Sequence, residues 1–445
     1  MKKFFILTFG CQMNVYDSAL MEYLLEKDGS VKANSVNDAD VIILNTCAVR
    51  EHAVNRVLSR LEDIKGLKRK KSGLRIGVTG CIPQHLKEKL IKEKPFIDFL
   101  LGPDNLRKIV SCANGEDGIF VKLIGTPIYS ELSPARGNFP EAFVSVMRGC
   151  NNFCSYCVVP YTRGRERHRS IGDVLKEVKK LSNEGYKRVI FLGQNVNDYN
   201  DNGRGLPYLL SRAAKLEGIE RIGFLTSHPA YFPFEVIKVM KNEPKVEKFL
   251  HLPLQSGNSK ILKLMKRGYT KEEYLKIIDA VRNEIDDITL STDIIVGFPG
   301  ETDRDFMDTI KMIEMIGFNS AYMFKYSPRR YTLANTFINN IDEKIKKERL
   351  NELIRIQSDI TREKSEAYRE KILDVLVTGK NEKNLLESNG ITVYNKNIIV
   401  KERLEKGKMV KVKIDEVKGW TPIGTPVKER VSRGEKSEEQ NGVTV

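Results

Sequence analysis

Short apolar runs alternate with segments of helical periodicity through the first hundred residues. Runs at 4–8, 40–44 and 74–78 have strand length, and the stretches at 18–27 and 53–67 bring apolar residues round every three to four positions. Such βαβ alternation predicts a parallel sheet with right-handed crossovers. The rhythm resumes at 143–147 and continues with runs at 188–192, 221–225, 248–252, 288–296 and 320–326, separated by helical patterns such as 173–183, 271–283 and 303–315. Six strand–helix units predict an incomplete version of the eight-unit barrel, with functional groups on the loops after the strands. A long charged helical region leads out from 342 to about 370. Beyond it the runs shorten to 373–377, 391–394, 398–400 and 409–414, with turns at Gly379, Asn389-Gly390 and Gly407. These predict a small antiparallel OB-like β-barrel. The expected fold is therefore multidomain α/β: an N-terminal parallel βα sheet at 1–118, a central (βα)6 partial barrel at 136–365 and a small β-barrel at 368–432. The polar end, 433–445, is expected to be disordered.

Composition narrows the class. A chain of 445 residues is too long for one ordinary core, and 41% apolar with 30% charged residues describes a soluble globular protein. No apolar run reaches transmembrane length. The first run starts like a signal peptide, but Gly10, Cys11, Gln12 and Asn14 interrupt it and no small-residue cleavage site follows, so a cytoplasmic location is expected. The net charge of +15 fits either a lysine-rich surface or a polyanionic partner, most simply nucleic acid. Seven cysteines are an odd number, which argues for metal or redox chemistry rather than a disulfide framework.

Six of those cysteines fall into two trios. Cys150, Cys154 and Cys157 have C-x3-C-x2-C spacing directly after the run at 143–147. Three thiolates so close can hold a metal centre that keeps one position open for a substrate or cofactor. Cys11, Cys47 and Cys81 each come one to three residues after one of three successive predicted strands. Parallel strands present their C-terminal ends on one edge, so the fold would gather these three on a common rim as a second metal site. Three unrelated buried cysteines are the alternative, and they leave the matching positions unexplained. Cys112 lies on an amphipathic pattern and reads as a small buried hydrophobe.

Other polar residues cluster at the strand ends of the central barrel, in Gly193-Gln194-Asn195, Thr226-Ser227-His228-Pro229 and Pro253-Leu254-Gln255-Ser256-Gly257. They are candidates for cofactor contacts, or for helix caps and turns. Among the histidines only His228 is placed at a site; His52, His85 and His251 are given structural roles. The basic run Arg163, Arg165, Arg167, His168 and Arg169 follows the cysteine loop and is expected to contact RNA or cofactor, with Glu166 as an internal partner. Residues 68–71 read as an exposed basic loop. Near the C-terminus Lys406, Lys408, Lys411 and Lys413 alternate, with Tyr394 and Trp420 nearby; lysines neutralise phosphates and aromatics stack bases. A solvated strand face is the plain alternative for the lysines, and Trp420 is expected in the core.

The C-x3-C-x2-C run after the first strand of a six-unit barrel resembles the radical S-adenosylmethionine superfamily. There, three thiolates ligate a 4Fe-4S cluster and S-adenosylmethionine chelates its fourth iron. Nearly the whole chain, 1 to about 430, is similar to the methylthiotransferases of that superfamily. The matching residues are Gly10-Cys11-Gln12-Met13-Asn14, Asn45-Thr46-Cys47-Ala48-Val49-Arg50-Glu51, Val158-Val159-Pro160-Tyr161-Thr162-Arg163-Gly164, Leu192-Gly193-Gln194-Asn195-Val196-Asn197, the two strand-end motifs at 226–229 and 253–257, and Gly297-Phe298-Pro299-Gly300-Glu301-Thr302. Gln-Met-Asn after the first cysteine and Arg-Glu after the second point to the branch acting on N(6)-isopentenyladenosine of tRNA, that of the tRNA 2-methylthio-N(6)-dimethylallyladenosine synthases. The final domain resembles the TRAM module, which binds RNA. Two departures stand out. The family's usual Ser-Pro-Arg-Pro-Gly-Thr-Pro-Ala is here Ser327-Pro328-Arg329-Arg330-Tyr331-Thr332-Leu333-Ala334, and a common Gly-Arg-Thr is Gly390-Ile391-Thr392, which removes one candidate phosphate contact.

The resemblance implies an enzyme that puts a methylthio group on C2 of isopentenyladenosine at position 37, in the unpaired anticodon loop, whose bases can be splayed into a pocket. No side-chain base can deprotonate that aromatic carbon, so cofactor radical chemistry is required. The implied cofactors are two 4Fe-4S clusters, one on Cys11, Cys47 and Cys81 and one on Cys150, Cys154 and Cys157, together with S-adenosylmethionine. Sulfur on the first cluster would take a methyl group from one S-adenosylmethionine. The second cluster would cleave another to a 5′-deoxyadenosyl radical, which removes the C2 hydrogen. Beyond the cluster ligands no catalytic side chain is implied; Tyr156, Gln194, Gln255 and Asp293 are the expected S-adenosylmethionine contacts. Expected partners are tRNA carrying isopentenyladenosine, a low-potential electron donor such as flavodoxin or ferredoxin, and a sulfur donor, with no membrane and a monomeric chain. Two alternatives stay open: a sibling methylthiotransferase acting on threonylcarbamoyladenosine, and a non-catalytic iron–sulfur protein that binds RNA.

Overall fold

The computed structural model describes residues 1–48, 51–125, 129, 131, 132, 134 and 137–427, without the side chains of 51–53. The expected disorder of 433–445, the motif residues Val49 and Arg50 and the His52 side chain lie outside the described residues.

The first six strands, β1 (Lys3–Thr8), β2 (Val31–Lys32), β3 (Val41–Thr46), β4 (Arg75–Gly80), β5 (Phe99–Leu101) and β6 (Gly118–Phe120), form one parallel sheet in the order β2-β1-β3-β4-β5-β6. The central run Val41-Ile42-Ile43-Leu44 is apolar at every position because both faces are covered. Val41 and Ile43 pack with Tyr16, Leu20 and Met21 of helix Gln12–Lys27. Ile42 and Leu44 pack with Val57, Leu61 and Ile64 of helix Glu51–Lys70. That helix extends through 68–70, so the expected basic loop is instead a helix end. Two of the lysines are paired: Lys68 with Asp98 at 2.5 Å, and Lys71 just beyond the helix with Asp40 at 2.9 Å.

Six further parallel strands follow: β7 (Glu141–Ser145), β8 (Arg188–Leu192), β9 (Arg221–Leu225), β10 (Phe249–His251), β11 (Thr289–Val296) and β12 (Ser320–Lys325). They pair as β7-β8-β9 and β10-β11-β12. A parallel bridge between Ile222 and Val246 joins the two halves. This is the partial barrel, with helices such as Ile171–Asn183, Lys271–Glu284 and Asp303–Ile316 outside it and one large apolar core within and behind the strands. Helix Glu343–Glu366 leads to five antiparallel or mixed strands, β13 (Ile372–Asn381), β14 (Asn384–Thr392), β15 (Asn397–Val400), β16 (Met409–Lys418) and β17 (Thr421–Pro426). They close into a barrel in the order β13-β14-β15-β17-β16.

The small barrel seats on the central barrel at the strand starts. Lys248, just before β10, donates its N–H to Val393 O at 2.8 Å. Arg188, the first residue of β8, holds Glu247 at 2.5 Å and Asn395 at 2.6 Å and also pairs with Glu141. The small barrel therefore lies at the edge opposite the strand ends that carry the cysteines. Trp420 corrects the core expectation: it sits between β16 and β17 and is 55% exposed, because two-strand turns leave no interior for a side chain of that size. Tyr394 is half-buried against the small core. Of the four alternating lysines, Lys411 and Lys413 lie on β16, both outward, and Lys413 is paired with Glu370 at 2.7 Å; Lys406 and Lys408 precede the strand.

Candidate active site

Adjacent strand ends of the N-terminal sheet bring the upstream trio together. Cys47 directly follows β3 and Cys81 directly follows β4, and the last residues of these strands, Thr46 and Gly80, are register partners. Cys11 comes three residues after β1, the other neighbour of β3, and starts helix Gln12–Lys27 as its N-cap. Gly10 makes the approach possible. At its φ of +118° an added Cβ would lie 2.4 Å from Cys47 Cβ and 3.3 Å from Cys47 Sγ. Cys47 and Cys81 are buried and Cys11 is half-buried. A hydrogen bond with Cys47 brings the Cys11 thiol down to about 6, against the effect of burial and with help from the Arg163 charge.

The second trio hangs on a loop after β7 that four other segments of the chain hold in shape. Gly149 N–H donates to Gln194 Oε1 at 2.5 Å, and Cys150 N–H donates to Gly164 O at 3.1 Å. Ser155 donates its N–H to Met265 O at 3.0 Å and its hydroxyl to Leu264 O at 2.8 Å, while its carbonyl accepts Ala334 N–H at 2.7 Å. Gly149 has φ +82°, and a Cβ there would fall 2.0 Å from Arg165 O, so only glycine fits under the returning chain. Burial pushes the Cys150 thiol up to about 11 and the Cys157 thiol up to about 12.

Cys154 has two nitrogen neighbours. Arg267, 5% exposed, donates to Cys154 Sγ at 3.3 Å, Pro253 O at 3.1 Å and Tyr269 OH at 3.1 Å. No carboxylate pairs with it among the described residues. A buried cation without a counter-charge is costly, and a Cys154 thiolate supplies that charge. His228 accepts Ala230 N–H on Nδ1 at 3.2 Å, which leaves the proton on Nε2, 4.0 Å from Cys154 Sγ. Burial and then Arg267 lower His228 to about 2, so the imidazole is neutral at physiological pH.

The four expected cofactor contacts differ in their surroundings. Tyr156 is half-buried against Ile261, Met265, Phe298 and Tyr326. Gln194 braces the cysteine loop, as above. Gln255 is buried at a φ of +70° in the left-handed region, and its Oε1 has no hydrogen-bond partner among the described residues. Asp293 is half-buried with its Oδ2 3.6 Å from His251 Nε2, which gives His251 a place beside the site that the sequence did not suggest. Three further buried polar atoms stand unpartnered among the described residues at strand ends: Asn195 Oδ1, Ser227 Oγ and Tyr326 OH. Such orphans are expensive unless a polar ligand meets them. Among the described residues no three His, Cys, Asp or Glu side chains converge on a single metal ion. In a polynuclear cluster each thiolate binds a different metal atom, so the thiolates need not converge on one point. Buried undisulfided thiols, a fixed cysteine loop, an unneutralised Arg267 and the orphaned strand-end atoms all suit an iron–sulfur cluster with a polar cofactor beside it.

The basic run after the cysteine loop is spent internally, a correction to the expected RNA or cofactor contacts. Arg163 pairs with Asp17 at 3.0 Å, Arg167 with Asp104 at 2.8 Å and Arg169 with Glu177 at 2.5 Å. Glu166 accepts from Asn151 rather than from an arginine. These cations are buried or half-buried, and a buried cation is costly unless it is paired. Arg165 lies over the Phe153 ring, 4.5 Å from its centroid. The divergent loop after β12 reaches the N-terminal sheet: Tyr331 meets His85, one turn after Cys81, edge to face at 5.8 Å, and Arg330 lies over the Tyr331 ring at 4.8 Å. Sequence reasoning did not single out Arg267 or Asp17 and gave His251 a structural role, since none has a spacing signal; the fold places Arg267 against Cys154, Asp17 against Arg163 and His251 against Asp293.

Comparison with known proteins agrees with this layout. The model of the Radical SAM superfamily matches residues 144–313, and that of Uncharacterized protein family UPF0004 matches residues 3–102. A tRNA-2-methylthio-N(6)-dimethylallyladenosine synthase from Thermoanaerobacter sp. (strain X514) is 45% identical over 429 residues, covering 94% of this chain and 91% of that one. Its counterpart from Fusobacterium nucleatum subsp. nucleatum is 41% identical over 433 residues, covering 95% and 99%. Among solved structures, the radical S-adenosylmethionine methyltransferase TsrM from Kitasatospora setae, with cobalamin and a 4Fe-4S cluster bound, superposes with a TM-score of 0.57 at 14% identity over 75% of this chain and 77% of that one. The cobalamin-dependent radical enzyme OxsB gives 0.52 at 14% identity, over 80% and 56%. These two likenesses concern the fold.

Proposed function

The chain belongs to the tRNA-2-methylthio-N(6)-dimethylallyladenosine synthase family of radical S-adenosylmethionine enzymes, and from that premise we propose how its residues divide the work. It is a transferase that methylthiolates N(6)-isopentenyladenosine in tRNA, and its cofactors are two 4Fe-4S clusters and S-adenosylmethionine. Family membership removes the non-catalytic alternative, and the relatives' names favour isopentenyladenosine over threonylcarbamoyladenosine.

In our reading Cys150, Cys154 and Cys157 hold the cluster that binds S-adenosylmethionine, and Cys11, Cys47 and Cys81 hold the other. Bound there, these groups supply the radical and the sulfur that no side chain can provide. The chain's own residues position and insulate them. Arg267 balances the charge on Cys154, and neutral His228 offers Nε2–H to the same sulfur. Gln194 fixes the loop through Gly149, while Gln255, Asn195, Ser227 and Tyr326 offer S-adenosylmethionine their unpaired polar atoms. Tyr156 forms an apolar wall, and Asp293, oriented by His251, faces the same rim. The functional units run over 1–118, 136–365 and 368–432, the last as an RNA-binding module, with the target base at position 37 of the anticodon loop. A low-potential electron donor is required; a flavodoxin or ferredoxin, a separate sulfur donor, a cytoplasmic location and a monomeric state complete the proposal. No helix among the described residues is long and apolar enough to cross a membrane.

The observation that carries this reading is identity above 40% along more than nine-tenths of the chain, with one cysteine trio at the ends of adjacent parallel strands and the other on the loop after the first barrel strand. The test is an anaerobic assay with isopentenylated tRNA, with and without S-adenosylmethionine, read by nucleoside mass spectrometry. The 2-methylthio derivative of isopentenyladenosine should form only in the complete mixture. Its absence there, with product formed instead on tRNA carrying threonylcarbamoyladenosine, would overturn the assignment.

A further inference from the structure

Arg163 belongs to the barrel but serves the other cysteine trio. It ends the short helix Val159–Arg163, two residues beyond Tyr161 and six beyond Cys157. The neighbouring carbonyl, Gly164 O, accepts Cys150 N–H at 3.1 Å, so the backbone here is tied to the barrel trio. Its guanidinium points the other way. Nη2 donates to Asn14 Oδ1 at 2.9 Å and to Asp17 Oδ2 at 3.0 Å, both on the helix that Cys11 caps. Asn14 Oδ1 in turn receives the Cys11 thiol, with Sγ 3.7 Å away. A second barrel arginine, Arg148, takes the other oxygen of Asp17 at 2.5 Å. All four groups are buried: Asn14 0%, Asp17 1%, Arg148 1% and Arg163 3% exposed.

The charges do not balance. One carboxylate faces two guanidinium groups, so this buried knot carries an excess positive charge next to Cys11 and Cys81. Arg163 Nη1 has no hydrogen-bond partner among the described residues, nor have Arg148 Nε and Nη1. An uncompensated buried cation with free N–H donors demands an anionic, acceptor-rich neighbour. A sulfide cluster ligated by three thiolates is one, and donors to cluster sulfur make the reduced, more negative state easier to reach.

We propose that Arg163 is a positioning residue of the upstream cluster, supplied by the barrel: it fixes the Cys11 helix through Asn14 and Asp17 and sets the cluster's potential with its charge and spare donor. The upstream centre is thus complete only when the barrel is docked against it, and two adjacent residues, Arg163 by its side chain and Gly164 by its carbonyl, link the geometry of the two cysteine trios. The inference rests on the assignment of Cys11, Cys47 and Cys81 as cluster ligands.

The test uses the full chain with Cys150, Cys154 and Cys157 replaced by alanine, reconstituted anaerobically with iron and sulfide, alone and with Arg163→Met or Arg163→Lys added. Iron per chain and the midpoint potential of the remaining cluster are read by chemical analysis and by a redox titration followed with electron paramagnetic resonance. A midpoint shifted to more negative values in the methionine variant, with the lysine variant nearer the parent, supports the proposal. So does loss of the cluster in the methionine variant with retention in the lysine variant. An unchanged midpoint in both overturns it, and so does equal loss of iron and of thermal stability in both, which would make Arg163 a folding residue only. If the parent with the three alanines holds no cluster, the ligand assignment fails instead.

Discussion

At the residue scale, the barrel trio lies against a buried cation that no motif announces. Among the described residues the buried Arg267 donates to neutral oxygens and to Cys154 Sγ, so its charge and that of a Cys154 thiolate need each other. Arg267→Met should therefore weaken cluster retention and activity by about 10- to 100-fold, the usual effect of losing a residue that supports a metal ligand. Iron analysis should show loss at the barrel site while the upstream site keeps its iron; equal retention at both would contradict the role. In the sequence Tyr156 stands out inside the cysteine loop, Gln194 and Gln255 in strand-end motifs and Asp293 on the fifth strand run of the barrel. The sequence could not distinguish Gln194, whose side-chain oxygen is used up by Gly149 N–H, from Gln255, whose oxygen is left over. That difference lies in a partner 45 residues away.

At the element scale, the predicted strands of the central barrel fell within a few residues of those found, because a strand buried by helices is apolar throughout and is punctuated by a polar turn. The C-terminal barrel was less legible. Strand β17 contains Pro422, Gly424 and Pro426, residues that ordinarily break strands, and is held by pairing with both β15 and β16. Trp420, on the turn between β16 and β17, follows the same logic: its exposure is set by the turn. Trp420→Ala should change stability by no more than about 0.5 kcal/mol. If the ring stacks on RNA, tRNA binding should weaken by about 1–3 kcal/mol, measurable by filter binding beside a thermal melt; unchanged binding would remove it from the RNA face. Lys396 couples this barrel to helix Glu343–Glu366 through a 2.7 Å hydrogen bond to Ser365. Burial lowers it from 10.5 to about 8. The folded chain binds that proton less tightly than the unfolded chain, so this group's penalty is full below about pH 8 and is relieved as pH rises toward 10.5. The melting temperature of Lys396→Met should exceed that of the parent most at neutral pH, with the gap shrinking through that window. A gap that does not vary with pH would show that Lys396 is not buried as a charge.

At the scale of the whole molecule, two interfaces organise the chain. One carries the small barrel at the strand starts, opposite the cysteines, so an RNA that touches both must span the height of the central barrel. Strands of five to eight residues at about 3.3 Å each make that roughly 20 Å, a reach available to a folded tRNA. The other interface joins the N-terminal sheet to the central barrel through Asp17 and its two arginines. Asp17→Asn leaves two buried guanidinium groups facing a neutral amide, and about 3–5 kcal/mol should be lost. Limited proteolysis should then cut between the sheet and the barrel faster than in the parent. An unchanged digestion pattern would show that the triad does not hold the interface.

The sequence by itself determined the six cysteines, the parallel strands that precede them and the order of the three units, because strand periodicity, turn residues and ligand spacing are local properties of the chain. Tertiary structure alone decided what surrounds the sulfur atoms. Asp17 and Arg163 are 146 positions apart, and Arg267 is 113 from Cys154. A buried charge is defined by its neighbours and by the absence of water, and neither is written at any one position. For that reason the run Arg163, Arg165, Arg167 and Arg169, which reads as a surface for RNA, proved to be largely paired internally: Arg163 and Arg167 with Asp17 and Asp104 of the N-terminal unit, and Arg169 with Glu177 inside the barrel.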